Sequence, residues 1–240
     1  MLEIIQIPVL NDNYLYLLHD KDTGDTAIVD PAVDEPVIQE LDNRGWSLTH
    51  IINTHHHWDH TGANMALKEK YGLQIIGPKA EADRIPGIDR MVGDRDTIKI
   101  GNSTATVFDT PGHTSGHIIY YFSDDKALFA GDTIFAMGCG RLFEGTPEQM
   151  WNSLSKITVL PDDTQIYCAH EYTLANTKFA LSVDPENQIL INRVQEVEAM
   201  RAMNTPTIPP SLGLAKETNP FLRPASDHLQ ETIGMTGCDI

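Results

Sequence analysis

His55-His56-His57-Trp58-Asp59-His60 puts four imidazoles and one carboxylate within six residues. Imidazole and carboxylate are good ligands for zinc, iron or manganese. The spacing is HxHxDH, not the HExxH of a zinc site built on one helix. In an extended or tightly turned loop His55 and His57 point the same way, while Asp59 and His60 face a second point nearby. That arrangement suits two metals better than one. His56 falls outside the pattern, because its neighbours already fill the face. A solvated polar loop would account for one isolated histidine. It does not account for this string together with more His and Asp further along.

His113 lies in Asp109-Thr-Pro-Gly-His113-Thr-Ser-Gly-His117, where the Pro-Gly turn can aim it inward. His117 reads as a hydrogen-bonding support rather than a ligand. Asp132 follows Phe129-Ala-Gly, and its two oxygens can bridge two cations. His170, in Cys168-Ala-His170-Glu171, completes the set His55, His57, Asp59, His60, His113, Asp132 and His170. The set holds no thiolate. Cys139 reads as a small packing residue and Cys168 as a buried strand residue.

Such groups need a scaffold that gathers them, and the hydrophobic pattern supplies one. Strand-like runs cover residues 2–7, 14–18, 26–29, 48–53, 74–76, 97–100, 104–108, 117–122, 127–130 and 166–168. One helix starts near Pro36 and ends at Gly45, and a second covers residues 63–71 and stops at Gly72. A third starts at Thr146-Pro147-Glu148-Gln149, which has a capping-box pattern. After His170 the character changes. Residues 172–183 and 185–203 read as helices, the second capped by Asp184 and with Ile189, Val194, Val197 and Met200 as its apolar face. A Pro-rich loop and a short helix follow. The fold class is α/β, with a mixed α/β domain at 1–170 and a small helical domain at 171–240. His55–His60, His113, Asp132 and His170 each come just past a strand, and sites in such sheets gather beyond the carboxyl ends of strands.

Four segments, THHHWDHTG, TPGHTSGH, Gly131-Asp132-Thr133 and Ala169-His170-Glu171-Tyr172, resemble in order and spacing those of the metallo-β-lactamase superfamily. More narrowly, Trp58, Cys139-Gly-Arg-Leu-Phe-Glu-Gly145, His170-Glu-Tyr-Thr173 and Asn219-Pro-Phe-Leu-Arg223 resemble the glyoxalase II family, the hydroxyacylglutathione hydrolases. The resemblance implies an αββα sandwich followed by a helical substrate-binding domain. It implies His55, His57 and His113 on one divalent metal, Asp59, His60 and His170 on a second, and Asp132 bridging. Zinc is the expected metal, with iron or manganese as alternatives. Asp59 and Asp132 carry the catalytic roles, and Arg141, Phe143 and Tyr172 the substrate contacts. The implied reaction is hydrolysis of S-D-lactoylglutathione to D-lactate and glutathione by a hydroxide bridging the two metals, the second step of methylglyoxal detoxification.

The chemistry suits the residues. A thiol of pKa about 8.5 leaves without strong general-acid help, unlike an amine. Phe143 stands where the family usually has Tyr, and residues 224–240 contain neither Lys nor Arg, where the family usually carries an Arg and a Lys. The alternative is therefore a metallo-hydrolase of the same fold acting on another thioester or a lactone, with a thiol carrier other than glutathione. A mononuclear-iron dioxygenase of this fold would need fewer ligands and leave Asp59 and His60 free.

Net charge is −17, and the Lys and Arg residues do not cluster. That argues against nucleic acid as a partner and requires a few placed cations for the carboxylates of glutathione. Three cysteines with no CxxC pair predict a reducing compartment. The opening MLEIIQIPVL lacks a basic segment before its apolar run, and no apolar stretch nears the roughly 18 residues of a membrane span. A cytoplasmic monomer is the expectation.

Overall fold

The computed structural model describes residues 1–238. Six strands form the first sheet: β1 (Glu3–Val9), β2 (Asn13–His19), β3 (Thr26–Val29), β4 (His50–Ile52), β5 (Gln74–Pro78) and β6 (Arg90–Val92), in that spatial order. The first three pair antiparallel and β3 to β6 pair parallel. The second sheet holds β7 (Thr97–Ile100), β8 (Ser103–Asp109), β9 (Ile118–Phe122), β10 (Ala127–Gly131) and, beyond the short hairpin β11 (Ile134–Phe135) and β12 (Gly138–Cys139), β13 (Gln165–Cys168). Its order is β13-β10-β9-β8-β7, with β13 parallel to β10.

Side-chain alternation along the strands builds three apolar layers. Tyr14, Tyr16 and Leu18 of β2 face Val107 of β8, Tyr120 of β9 and Phe129 of β10 in the core between the sheets. Leu15 and Leu17 point the other way, against Val37 and Leu41 of α1 (Glu35–Arg44) and Leu67 of α3 (Asn64–Tyr71), which follows the single turn α2 (Trp58–Thr61). On the far face of the second sheet, Ile119, Leu128 and Ile166 pack on Met150, Leu154 and Ile157 of α4 (Pro147–Thr158). The result is an αββα sandwich.

Register sets the site. Val29, Ile52 and Ile76 lie side by side in β3, β4 and β5, so the segments after them leave the sheet at one edge. Gly131 of β10 pairs with Cys168 of β13, which brings the residues after both together. Ile118 N donates to Thr54 O at 2.9 Å and joins the two sheets there.

Beyond His170 come α5 (Thr173–Val183), α6 (Gln188–Ala202), α7 (Leu212–Thr218) and α8 (Asp227–Thr232). Leu212 and Ala215 of α7 return to the outer face of the second sheet, so the helical region is stitched into the sandwich. Two local expectations fail. Asp184 does not cap α6: Asn187 does, its Oδ1 accepting from Ile189 N and Leu190 N. Asp184 is engaged instead by Arg223 and by Asn187 Nδ2, and the turn this makes delays the helix to Gln188. The apolar face shifts with it to Leu190, Val194 and Val197, leaving Ile189 44 % exposed. Trp58–Thr61 makes one helical turn, the tighter of the two loop forms that the spacing allowed.

Glu171 fastens the helical region. Its buried carboxylate accepts from Tyr14 Oη at 2.8 Å, Thr207 N at 2.8 Å and Thr207 Oγ1 at 2.6 Å. Glu171→Ala takes this acceptor from Tyr14 Oη and Thr207 N and leaves Thr207 Oγ1 only Thr173 Oγ1; it is expected to cost about 2–4 kcal/mol of stability, read from the urea midpoint. A loss below about 0.5 kcal/mol would mean that these bonds add nothing net.

Candidate metal centre

The seven polar groups converge at the shared strand edge. His55, His57 and His113 each offer a ring nitrogen, and these lie within 4.8 Å of one another; Asp59, His60 and His170 form a second group on the same criterion. Asp132 stands between them. Its Oδ2 is 3.4 Å from His113 Nε2, and its Oδ1 is 3.5 Å from His60 Nε2 and 3.4 Å from His170 Nε2.

Each element contributes for a local reason. Gly131 ends β10 at φ +49, and a Cβ there would sit 2.4 Å from Thr54 Oγ1 and 2.8 Å from His117 Nε2. Glycine is thus required for the turn that presents Asp132. His117, whose Nε2 accepts from Asp132 N at 3.1 Å, holds that turn from behind. Its other nitrogen faces the hydroxyls of Thr110 and Thr133, and burial keeps the ring neutral by driving its pKa well below the ordinary value. His117 is not in either ligand group. His56 also turns away, its Nδ1 2.7 Å from Glu81.

The outward partners of the histidines define their tautomers. His60 Nδ1 meets Asp30 at 3.1 Å, His170 Nδ1 meets Asp12 at 2.9 Å and His113 Nδ1 meets Arg141 O at 2.9 Å. Thr54 Oγ1 donates to Asp30 at 2.6 Å and so accepts from His55 Nδ1 at 3.0 Å. With these outer nitrogens protonated, His55 and His113 each aim a bare Nε2 inward, while His60 and His170 turn the same nitrogen toward Asp59 and Asp132. Burial drives His55 well below its ordinary pKa and lowers His57 and His113, which keeps their lone pairs free. Burial also opposes charge on His60, but Asp132, Asp30 and Asp59 override it and raise its pKa to about 9. The carboxylates here thus demand a compensating positive charge. Asp132 is held well below the usual carboxylate range by the surrounding imidazoles, against its own burial.

Two buried atoms test whether cations fit. His60 Nε2 and Asp132 Oδ1 have no hydrogen-bond partner, although buried polar groups are normally satisfied. Both face the gap between the two groups. Five imidazoles and two carboxylates without a thiolate suit borderline divalent metals, so the residues fit a two-cation site.

Sequence reasoning missed Asp30 and Asp12. Asp30 accepts from Thr54 N at 2.7 Å and bonds Thr54 Oγ1 and His60. Its signal was present, since it follows β3 as the ligands follow their own strands. Asp12 lies in the Asn11-Asp12-Asn13 turn between β1 and β2, where nothing local marks it.

Two of the predicted substrate residues pack against the histidines. Tyr172 stacks on His170 with centroids 4.7 Å apart and planes at 2°. Burial first, then the nearby Asp12, Asp132 and Asp59, raises its hydroxyl to about 12, which keeps it a donor. Phe143 is 63 % exposed and set edge-on to His113 at 5.2 Å and to His57 at 5.9 Å. Arg141 is exposed on the same loop. Trp58 is 70 % exposed beside the predicted ligands His57 and Asp59.

Comparison with known proteins sharpens the site. Residues 11–170 match the metallo-beta-lactamase superfamily, and residues 171–239 match the hydroxyacylglutathione hydrolase C-terminus. The hydroxyacylglutathione hydrolase of Methylococcus capsulatus is 52 % identical over 237 residues, which is 99 % of this chain and 93 % of that protein. That of Rhodospirillum rubrum is 52 % identical over 238 residues, again 99 % of this chain and 93 % of that protein. Among solved structures, BLEG-1 B3 metallo-beta-lactamase superposes with a TM-score of 0.70 at 24 % identity, covering 92 % of this chain and all of its own, a likeness of fold.

Proposed function

The chain belongs to the metallo-β-lactamase superfamily and, within it, to the hydroxyacylglutathione hydrolases, and on that premise we propose that it hydrolyses S-D-lactoylglutathione to D-lactate and glutathione. The observation that carries this reading is the pair of inward-facing His/Asp groups sharing Asp132 beneath a mouth lined by Arg141, Phe143 and Tyr172. Membership implies a dinuclear divalent-metal site. We assign zinc to it on the donor set, with iron or manganese as alternatives. His55, His57 and His113 would hold one cation, Asp59, His60 and His170 the other, and Asp132 both. Such cations, when bound, would supply a nucleophile of hydroxide strength at neutral pH and an electrophile for the thioester carbonyl.

The protein's own residues do the rest. Asp59 is oriented by Asn13 Nδ2, 3.2 Å from its Oδ2, and its free oxygen can accept the hydrogen bond of the attacking water. The Tyr172 hydroxyl and the Arg141 guanidinium meet the carboxylates of glutathione, the charges that an acidic protein would otherwise repel. Phe143 packs the apolar part of the thioester against His113. The thiolate leaves unprotonated, its parent thiol having a pKa of about 8.5. Residues 1–170 act as the catalytic domain and 171–240 as the substrate-binding domain of what we take to be a cytoplasmic monomer. No helix among the described residues is long and apolar enough to cross a membrane.

The direct test is loss of thioester absorbance on adding purified protein to S-D-lactoylglutathione, with metal counted in the same sample. Efficient turnover with about two metals per chain is expected. Two metals without turnover would reject glutathione as the carrier. Arg141→Ala is expected to raise KM roughly tenfold with kcat little changed, because the charge is contacted equally in ground and transition states. A fall in kcat alone would place Arg141 elsewhere in the reaction.

A further inference from the structure

A line of charged groups beside the metal centre includes none of the seven ligands. Glu81, in the 3₁₀ turn Lys79–Arg84, has a fully buried side chain. It accepts from His56 N at 2.9 Å and from Gly116 N at 2.9 Å, and its Oε2 is 2.7 Å from His56 Nδ1. Arg84 lies 3.4 Å from Glu81 and forks onto Glu144, with Nη1 at 2.6 Å and Nη2 at 3.2 Å. Arg84 Nη2 also donates to Ser115 Oγ at 3.2 Å, and Glu144 accepts from Ser115 N at 2.7 Å. Next to Glu144, Gly145 N donates to Gly112 O at 3.0 Å, and a Cβ on Gly145 would lie 2.5 Å from Gly112 Cα. The backbones touch there, and only glycine permits it.

Three loops are thereby tied together: residues 55–60, with four ligands; residues 110–117, with His113; and residues 139–145, with Arg141 and Phe143. The last two meet again at His113, because the carbonyl of Arg141 accepts from its Nδ1 at 2.9 Å. That bond fixes the tautomer and the ring plane of His113. A shift of residues 139–145 would remove it.

We propose that Arg84 and Glu144 form a latch that holds the substrate loop in place and, through the Arg141 carbonyl, positions His113 for its metal. Both are positioning residues. The inference rests on the reading of residues 139–145 as the substrate loop. A bidentate Arg–carboxylate pair restricts geometry more than a single contact does. Hydrogen bonding to Arg84, with help from Ser115, pulls the Glu144 carboxyl down to about 2, so the latch is charged at neutral pH. The two side chains are 38 % and 29 % exposed, and exposed pairs add little global stability. The consequence of breaking the latch is local.

The test uses the full chain loaded with zinc. Zinc loss to a chromogenic chelator is timed for the parent and for Glu144→Ala, Arg84→Ala, the double variant and Arg84→Lys. Each alanine variant is expected to lose zinc roughly tenfold faster, the scale of a lost outer partner of a ligand. KM should rise with kcat held within roughly threefold. The double variant should be no worse than either single one, as for residues acting as a unit. Arg84→Lys, which keeps the charge without the fork, should fall between. The melting temperature should move by less than about 3 °C. Zinc loss at the parent rate in both single variants would overturn the latch, as would faster loss only in step with a falling melting temperature. Zinc release needs no substrate, so the latch stands or falls independently of whether S-D-lactoylglutathione is cleaved.

Discussion

Asp132→Ala is expected to lower kcat/KM by roughly 10³-fold or more, a loss of about 4 kcal/mol of transition-state stabilisation. The expectation follows from position. Asp132 faces both groups, with Oδ2 toward His113 and Oδ1 toward His60 and His170. Alanine removes both oxygens from a buried site, and with them the carboxylate contact to the two halves. His60 also loses one of the carboxylates that stabilise positive charge beside it. Metal content should therefore fall below two per chain together with the rate, while Asp132→Asn, which keeps one carbonyl oxygen, should lose less of each. Folding should survive, because the backbone of Asp132 is still held by His117 through its N–H. The measurement is steady-state hydrolysis of S-D-lactoylglutathione alongside metal analysis. An alanine variant with two metals and activity within roughly tenfold of the parent would show that the bridging position is not required.

How much of this could be read from the chain depends on what each residue answers to. The seven converging groups were legible because each lies in a segment that follows a strand, and strand ends are visible as breaks in alternating apolar runs. His55 to His60 follow β4, Asp132 follows β10 and His170 follows β13. Layering was legible for the same reason: Leu15 and Leu17 against Tyr14 and Tyr16 is a period-2 pattern with both faces buried. Two kinds of feature escaped. One is the choice between neighbouring caps, Asp184 or Asn187, which was decided by Arg223, distant in sequence, claiming the first of them. The other is the set of outer partners. Asp12, Asp30, Glu81 and Glu144 are ordinary carboxylates in the sequence. Asp30 had a strand end before it and Glu144 a motif around it, but the partner of each is set by contact across the sheet edge, as with Asp12 and His170 at 158 residues apart.

Stripping the metals is expected to abolish hydrolysis and to lower the melting temperature by about 10 °C, with both restored by adding zinc. The size follows from mass action. Saturation at about 1,000 times the dissociation constant contributes about 4 kcal/mol. In a chain of this size each kcal/mol moves the transition by about 2–4 °C. The structure says why the apo form should be strained. Without cations, Asp59 and Asp132 lie near each other around His60 and His170 with only imidazoles to balance them. His60 Nε2 and Asp132 Oδ1 remain buried without partners, each at a cost of about 1–3 kcal/mol. These penalties fall on loops that close the open edge of both sheets, so loosening them loosens the joint at Thr54 and Ile118. The chelated chain should therefore melt earlier and, by proteolysis, be cut first within residues 54–62 or 110–117. A chelated protein that keeps its melting curve would mean that the site is rigid without its ions and that the sandwich alone sets stability. One that keeps its activity after metal analysis reads zero would remove the metals from the reaction altogether.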